Sequence, residues 1–535
     1  MPVGDNNANS WNALLAAEFY DGMGGIDTVS YANSNAAVFV DFMNNVATGG
    51  FAQGDTFSNM ENIIGSAFAD TLIGNNLANT LDGGNGNDTL RGMGGNDTLL
   101  GGDGNDTLNG GTGADILNGG TGIDTAVYSN STLGVVVNLN IGTGQLWNGS
   151  EAAGDILSGI ENLTGSGFAD TLIGDSSNNV LNGGNGNDTL IGGAGADTLI
   201  GGAGIDTVSY ATSTTNYSVQ VDLELTTQNT VYNSGGGWAS AYSEASGDVL
   251  ISIENIIGTD AGYLSNGTEV NFGGDKLRGN DNINTIIGGA GNDLIEGRGG
   301  ADTLIGGVGS HDIVSYESST AGVTVDLGLS TAQISAGDAS GDILSGFEDI
   351  NGSSYNDTLT GTTGNNILNG GGGDDVLIGG AGADTLIGGA GNDTIIDSSG
   401  SSRLIGGQGD DVLISGSGFD IINDLVGSNT MTGGVYGDIF DFGAYFEYGV
   451  YGGVDSSATV TNTDTLITDF EVGVDQINVA SGSVITLSGS SSETVVTITT
   501  AYTNEDGAAA THTATVTLQG VDINSLAPDS ISNIW

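Results

Sequence analysis

The sequence predicts an all-β protein built as a parallel solenoid. Three features carry this: aspartates at every ninth residue, glycine-rich turns before them, and short alternating apolar strands between the arrays. From Gly83 the chain reads GGNGNDTLR, GMGGNDTLL, GGDGNDTLN, GGTGADILN and GGTGIDTAV, placing Asp88, Asp97, Asp106, Asp115 and Asp124 at intervals of nine. The register reaches back through Asn79 to Asp70. It returns at Asp170, Asn179, Asp188, Asp197 and Asp206, and again at Asp275, Asn284, Asp293 and Asp302. The last array runs Asp357, Asn366, Asp375, Asp384, Asp393, carries Ser402 in the aspartate slot, and resumes at Asp411 and Asp420. Self-similarity at a fixed period marks a repeat architecture.

Each part of the repeat has its own chemistry. Glycines of the first six positions supply positive φ and close backbone approach, which is turn behaviour. The next three residues, as in Thr89-Leu90-Arg91, suit a very short strand with its middle side chain inward. One nonapeptide is then a turn plus a strand, and two complete a coil. Residues 18 apart stack, which puts Asp88 over Asp106 and Asp97 over Asp115. Asn-Gly and Asp-Gly pairs also mark hairpins, but a hairpin does not demand an aspartate every ninth residue.

Composition says what the aspartates are for. The 535 residues include 98 glycines, two prolines and no cysteine, and 65 acidic residues face five basic ones for a net charge of −60. Such charge at low hydrophobicity normally gives disorder. No disulfide can stabilise the chain, so a metal is expected to. Calcium takes six to eight oxygens at about 2.3–2.6 Å, from carboxylates and backbone carbonyls, which stacked glycine turns present together. The candidate ligands are Asp70, Asp88, Asp97, Asp106, Asp115, Asp124, Asp170, Asp188, Asp197, Asp206, Asp275, Asp293, Asp302, Asp357, Asp375, Asp384, Asp393 and Asp411. Pairing them 18 apart suggests on the order of a dozen ions.

These segments resemble the repeats-in-toxin (RTX) family of hemolysin-type calcium-binding proteins, whose GGxGxDxUx signature they repeat in phase. The resemblance implies a parallel β-roll, multiple Ca²⁺ ions, type I secretion through an uncleaved C-terminal signal, and folding in extracellular calcium. Asn79, Asn179, Asn284, Asn366 and Ser402 depart from the signature, so weakened sites are expected there.

A larger unit surrounds the arrays. GIDTVSYA at Gly25 recurs as GIDTAVYS at Gly122, GIDTVSYA at Gly204 and SHDIVSYE at Ser310. Each leads to an alternating strand (VFVDF, VVVNL, VQVDL, VTVDL) and then to GDTFSNMEN, GDILSGIEN, GDVLISIEN or GDILSGFED, with Glu61, Glu161, Glu254 and Glu348. The predicted division is an N-terminal arm at 1–26, four modules at 27–123, 124–205, 206–311 and 312–423, and a C-terminal β capping domain with the secretion signal at 424–535. Module three carries an insertion from Thr226 to Asn271 around Trp238, read as a local cover or a contact surface. Its repeat also slips: ten residues separate Asp302 from Asp312, so His311 falls in the expected slot and a weakened site is expected. ALLAAEF from Ala13 reads as a short helix or a cap of the first module.

Several function classes are disfavoured. Arg91, Lys276, Arg278, Arg298 and Arg403 are too few for nucleic acid, which needs phosphate-neutralising cations, and an anionic membrane would repel the chain. No stretch reaches the length for membrane insertion, and the N-terminus lacks a basic n-region. Those two absences alone would suggest cytoplasm; the resemblance reverses this to a secreted, extracellular or cell-surface location. His311 and His512 lie in no HExxH segment, and there is no GxSxG, P-loop or cysteine nucleophile, so no enzyme is expected. Asn-Asp-Thr matches a glycosylation acceptor but follows from turn and strand preferences. The expected function is a calcium-binding structural surface protein, an S-layer or extracellular matrix subunit that self-associates into an array or filament. The alternatives are a calcium-dependent adhesin, with cell-surface polysaccharide as one partner, and a secreted hydrolase.

Overall fold

The computed structural model describes residues 2–145, 150–212, 218–228, 244–259, 274–424, 426–442, 463–470, 475–480, 484–489, 493–503, 509–522, 525–526 and 531–534. The fold is all-β, with a 3₁₀ turn at Gly50–Ala52 and no α-helix among these residues, so ALLAAEF forms no helix. Propensity for a helix over Ala13–Phe19 loses to strand pairing of Phe19–Asp21 with Thr56–Ser58.

The ordinary repeat is shown by four consecutive strands, Thr89–Gly94, Thr98–Asp103, Thr107–Thr112 and Ile116–Thr121. They pair in parallel with the repeat after next, Leu90 opposite Leu108 and Leu99 opposite Leu117. Alternate repeats therefore enter different sheets, and the 18-residue stacking is realised. The middle residue of each strand points inward: Leu72, Leu81, Leu90, Leu99, Leu108 and Leu117 are fully buried. A single leucine per strand makes a thin core, since each strand offers only its inward face.

Glycine is required here for two reasons. Gly104 has φ +142°, and a Cβ there would run into the Gly86 carbonyl of the coil 18 residues back. Only a residue without a side chain lets coils stack this closely.

Contacts group the chain into residues 1–259 and 260–535. The division falls inside the module at 206–311, within its insertion. In the first unit, one sheet runs from Ser10–Asn12 to Ile156–Ser158, and a second from Val46–Thr48 to Val249–Ile251. A third opens with Val136–Asn138, paired to Thr171–Ile173. This alternating strand thus opens a new sheet beside the stack, whereas Phe39–Asp41 is flanked at its sheet's edge by antiparallel Val46–Thr48. Val135 and Val137 share the former's buried face, as period-two patterning predicts.

In the second unit Thr324–Asp326 does the same, paired to Thr358–Thr360. Near the C-terminus Thr463–Ile467 pairs in parallel with Ala509–Gln519, which turns antiparallel against Glu493–Thr503, itself antiparallel to Val484–Gly489. Ile531–Ile534, from the apolar tail, pairs with Gln476–Ala480. Most of the module-three insertion, including Trp238, lies outside the described residues.

Candidate calcium sites

A repeat aspartate performs two jobs, one with each oxygen. Its Oδ1 accepts the backbone N–H of the slot residue 18 earlier: Asp88 from Asp70, Asp97 from Asn79, Asp106 from Asp88, Asp115 from Asp97 and Asp124 from Asp106, all at 2.7 Å. The same bond, at 2.7–2.8 Å, serves Asp188, Asp197, Asp206, Asp293, Asp302, Asp375, Asp384, Asp393 and Asp411.

Oδ2 of every one of these fourteen aspartates is buried without a hydrogen-bond partner. It lies against the first glycine of its own repeat. A Cβ on Gly83 would meet Asp88 Oδ2 and the Gly101 carbonyl; on Gly92, Asp97 Oδ2 and the Gly110 carbonyl; on Gly101, Asp106 Oδ2 and the Gly119 carbonyl. Anionic and carbonyl oxygens thus crowd a pocket that glycine leaves open.

Left bare, these oxygens are costly. Burial first, then neighbouring carboxylates, pushes Asp88, Asp97, Asp188, Asp293, Asp302 and Asp393 up to about 7 and Asp375 to about 8, against a partial offset from the backbone N–H bonds. A buried anion needs a counter-charge or a proton. Among the described residues no three acidic or histidine side chains form a metal cluster. A cation here must take one or two carboxylates and complete its shell with carbonyls, which suits calcium and not a nitrogen- or sulfur-seeking metal. The donor set fits calcium.

Three of the expected ligands are held differently from the rest. Asp70 accepts from Val38 N–H and Ser66 Oγ on Oδ1 and from Ser66 N–H on Oδ2, so neither oxygen is unpartnered. Asp170 repeats this with Val135 and Ser166, and Asp357 with Val323 and Ser353. They cap the start of an array. The signal was available: serine replaces the second turn glycine in GSAFAD, GSGFAD and GSSYND. Asp275 is buried and donates its own N–H to Asp293.

The slip in module three is corrected by the structure. Asp312, not His311, takes the slot, its Oδ1 accepting the Asp293 N–H at 2.8 Å and its Oδ2 unpartnered. The extra residue is absorbed in the turn, and His311 Nδ1 lies 3.1 Å from Asp349 Oδ2. Asp27, Asp420 and Asp438 present the same bare Oδ2 and were absent from the expected set.

Sequence reasoning also missed what closes each module. Tyr31, Tyr128, Tyr210 and Tyr316 are buried and donate their hydroxyls to Asp55, Asp155, Asp248 and Asp342 at 3.0–3.1 Å. Asp155, 40 residues beyond Asp115, takes over the ladder bond to the Asp115 N–H. A phenol O–H satisfies here the carboxylate oxygen that the ordinary repeats leave bare. The four glutamates finish the junction, accepting the N–H of Asp27, Asp124, Asp206 and Asp312 at 2.8–3.1 Å. Tyr128→Phe strands Asp155 Oδ2, and should cost about 1–3 kcal/mol. The loss is expected as a lower urea midpoint in saturating calcium, with exposed Tyr436→Phe unchanged.

Fold and site together define a calcium-binding β-roll. A family profile for the RTX calcium-binding nonapeptide repeat matches residues 64–99, 91–126, 157–190, 173–208, 278–310, 351–386 and 387–422. The chain carries RTX calcium-binding nonapeptide repeats in these segments, and the tyrosine–aspartate junctions fall outside them. Comparison with curated proteins finds no match.

Proposed function

We propose that this is a secreted structural surface protein, an S-layer or matrix subunit, which folds on binding calcium outside the cell and self-associates in its presence. The observation that carries the reading is the ladder of buried, partnerless carboxylate oxygens in both units, which ties folding to calcium supply. Cytosol holds little free calcium, so such a chain stays unfolded for export and closes afterwards. Repeats occupy most of the described chain, which favours a scaffold over an enzyme: the acids are spent on turns, and His311 is engaged by Asp349. No described helix is long and apolar enough to cross a membrane. Assembly draws on the same chemistry, since a net charge of −60 separates subunits until divalent ions bridge them.

Electron microscopy of the purified chain, with calcium and after chelation, tests this. Ordered sheets or filaments that disperse on chelation are the expected result. Calcium-folded monomers at all concentrations would reject the assembly.

A further inference from the structure

Six repeats lack aspartate in the slot, and they divide into two kinds. At Asn79, Asn179, Asn284 and Asn366 the repeat still opens with glycine: Gly74, Gly174, Gly279 and Gly361. There the amide replaces a cation. Asn79, Asn179 and Asn366 each donate Nδ2 to the carbonyl of Glu61, Glu161 or Glu348, at 2.6–2.8 Å. The other kind is DSSGSSRLI from Asp397 and DLVGSNTMT from Asp424. In both, the slot is uncharged (Ser402, Asn429) and the opening glycine has become aspartate.

The geometry explains the exchange. In an ordinary repeat the first glycine's missing Cβ and the slot carboxylate's Oδ2 compete for one position, so a carboxylate grown from position one enters the same cradle from the other side. Ser402 and Asn429 keep half of the aspartate's work, accepting the N–H of Asp384 at 3.0 Å and of Asp411 at 2.8 Å. The charge has moved to position one. Asp397 is 2% exposed and Asp424 1%, and neither Oδ2 has a hydrogen-bond partner. Each Oδ1 is tied to local backbone, by Ser398 N–H at 2.8 Å and Val426 N–H at 3.3 Å.

Each relocated carboxylate converges on an ordinary one thirteen residues earlier. A Cβ on Gly379 would meet Asp384 Oδ2 at 2.6 Å and Asp397 Oδ1 at 3.1 Å. At Gly406 the same position is crowded by Asp424 Oδ2 and Asp411 Oδ2. Asp384 and Asp411 also have a bare Oδ2 and are 1% exposed. Two buried carboxylates facing each other need a shared cation or a shared proton.

We propose that Asp384 with Asp397, and Asp411 with Asp424, form two calcium sites with a relocated ligand, which the nine-residue signature does not describe. This deepens the calcium-loading reading and rests on it. The ion takes one carboxylate from the slot of one repeat and one from the opening position of another, with turn carbonyls completing its shell. Calcium loading therefore continues on both edges of the roll through the two repeats that look defective.

The test counts calcium bound by the full chain at saturation, by equilibrium dialysis and atomic absorption, with far-UV circular dichroism reporting folding. Asp397→Asn and Asp424→Asn should each lose one ion, and the double variant two. Exchanging the ligands back, Asp397→Gly with Ser402→Asp, should restore the full count, and it covers the case in which Asp397→Asn does not fold. Asparagine variants that fold with the unaltered count would overturn the proposal and leave a shared proton as the explanation. An exchanged chain that folds one ion short would overturn it too. Wild-type chain that binds no calcium would sink the calcium-loading reading itself, a distinguishable failure.

Discussion

Removing calcium with EGTA near neutral pH is expected to abolish most of the β signal in far-UV circular dichroism, and returning calcium should restore it. The chain contains 98 glycines, many of them in the stacked turns, and glycine loses more backbone freedom on folding than any other residue. Its offsetting burial is a thin core, with one inward leucine, isoleucine or valine on most strands. Against that stand at least fourteen buried carboxylate oxygens with no donor and only five lysines and arginines in the whole chain. Each ion at a hundredfold excess over its Kd adds about 2.7 kcal/mol to the folded state. Net stabilities of folded domains are roughly 5–15 kcal/mol, so a handful of ions decides whether the roll exists. A spectrum unaltered by exhaustive chelation would remove the reason for the aspartate ladder.

Acid should do part of calcium's work. In chelator, the chain is expected to be largely unfolded near pH 8 and to regain β structure as the pH is lowered toward 5, above its isoelectric point of about 4.1. Asp88, Asp97, Asp155, Asp188, Asp248 and Asp293 are raised from 3.8 to about 7, mainly by burial. Raised carboxylate values mean that the folded state binds protons more tightly than the unfolded one. That stabilisation is complete below about 4 and is lost as the pH rises through about 7. Calcium affinity has the opposite sign, because its ligands must be ionised. Circular dichroism against pH, with and without calcium, separates the two. Loss of β structure on acidification in chelator would show that the bare oxygens do not oppose folding.

Much of the ladder was legible because its physics is local. Asp88, Asp97 and Asp106 each need only a glycine five residues before them and an inward leucine two residues after, so period and residue type suffice. Asp70, Asp170 and Asp357 look identical in that window and behave otherwise, because Ser66, Ser166 and Ser353 turn a hydroxyl and an N–H onto them. His311 fell in the slot by counting, whereas strand pairing of Leu294 with Ile313 selects Asp312. Backbone hydrogen bonds set register, and a turn tolerates an extra residue more readily than a ladder does.

What the sequence determined alone is the repeat itself: its nine-residue period, inward leucines, glycine turns and acidic slots, all features that neighbours along the chain impose. Only the tertiary structure decided which carboxylate oxygens are left bare. Tyr128 meets Asp155 from 27 residues away, Glu161 meets Asp124 from 37, and Asp397 enters a cradle built by Asp384 and Gly379. Such partners are chosen by which coils lie against one another, and stacking distance in space has no fixed counterpart in sequence once a module's extra strand lengthens the path.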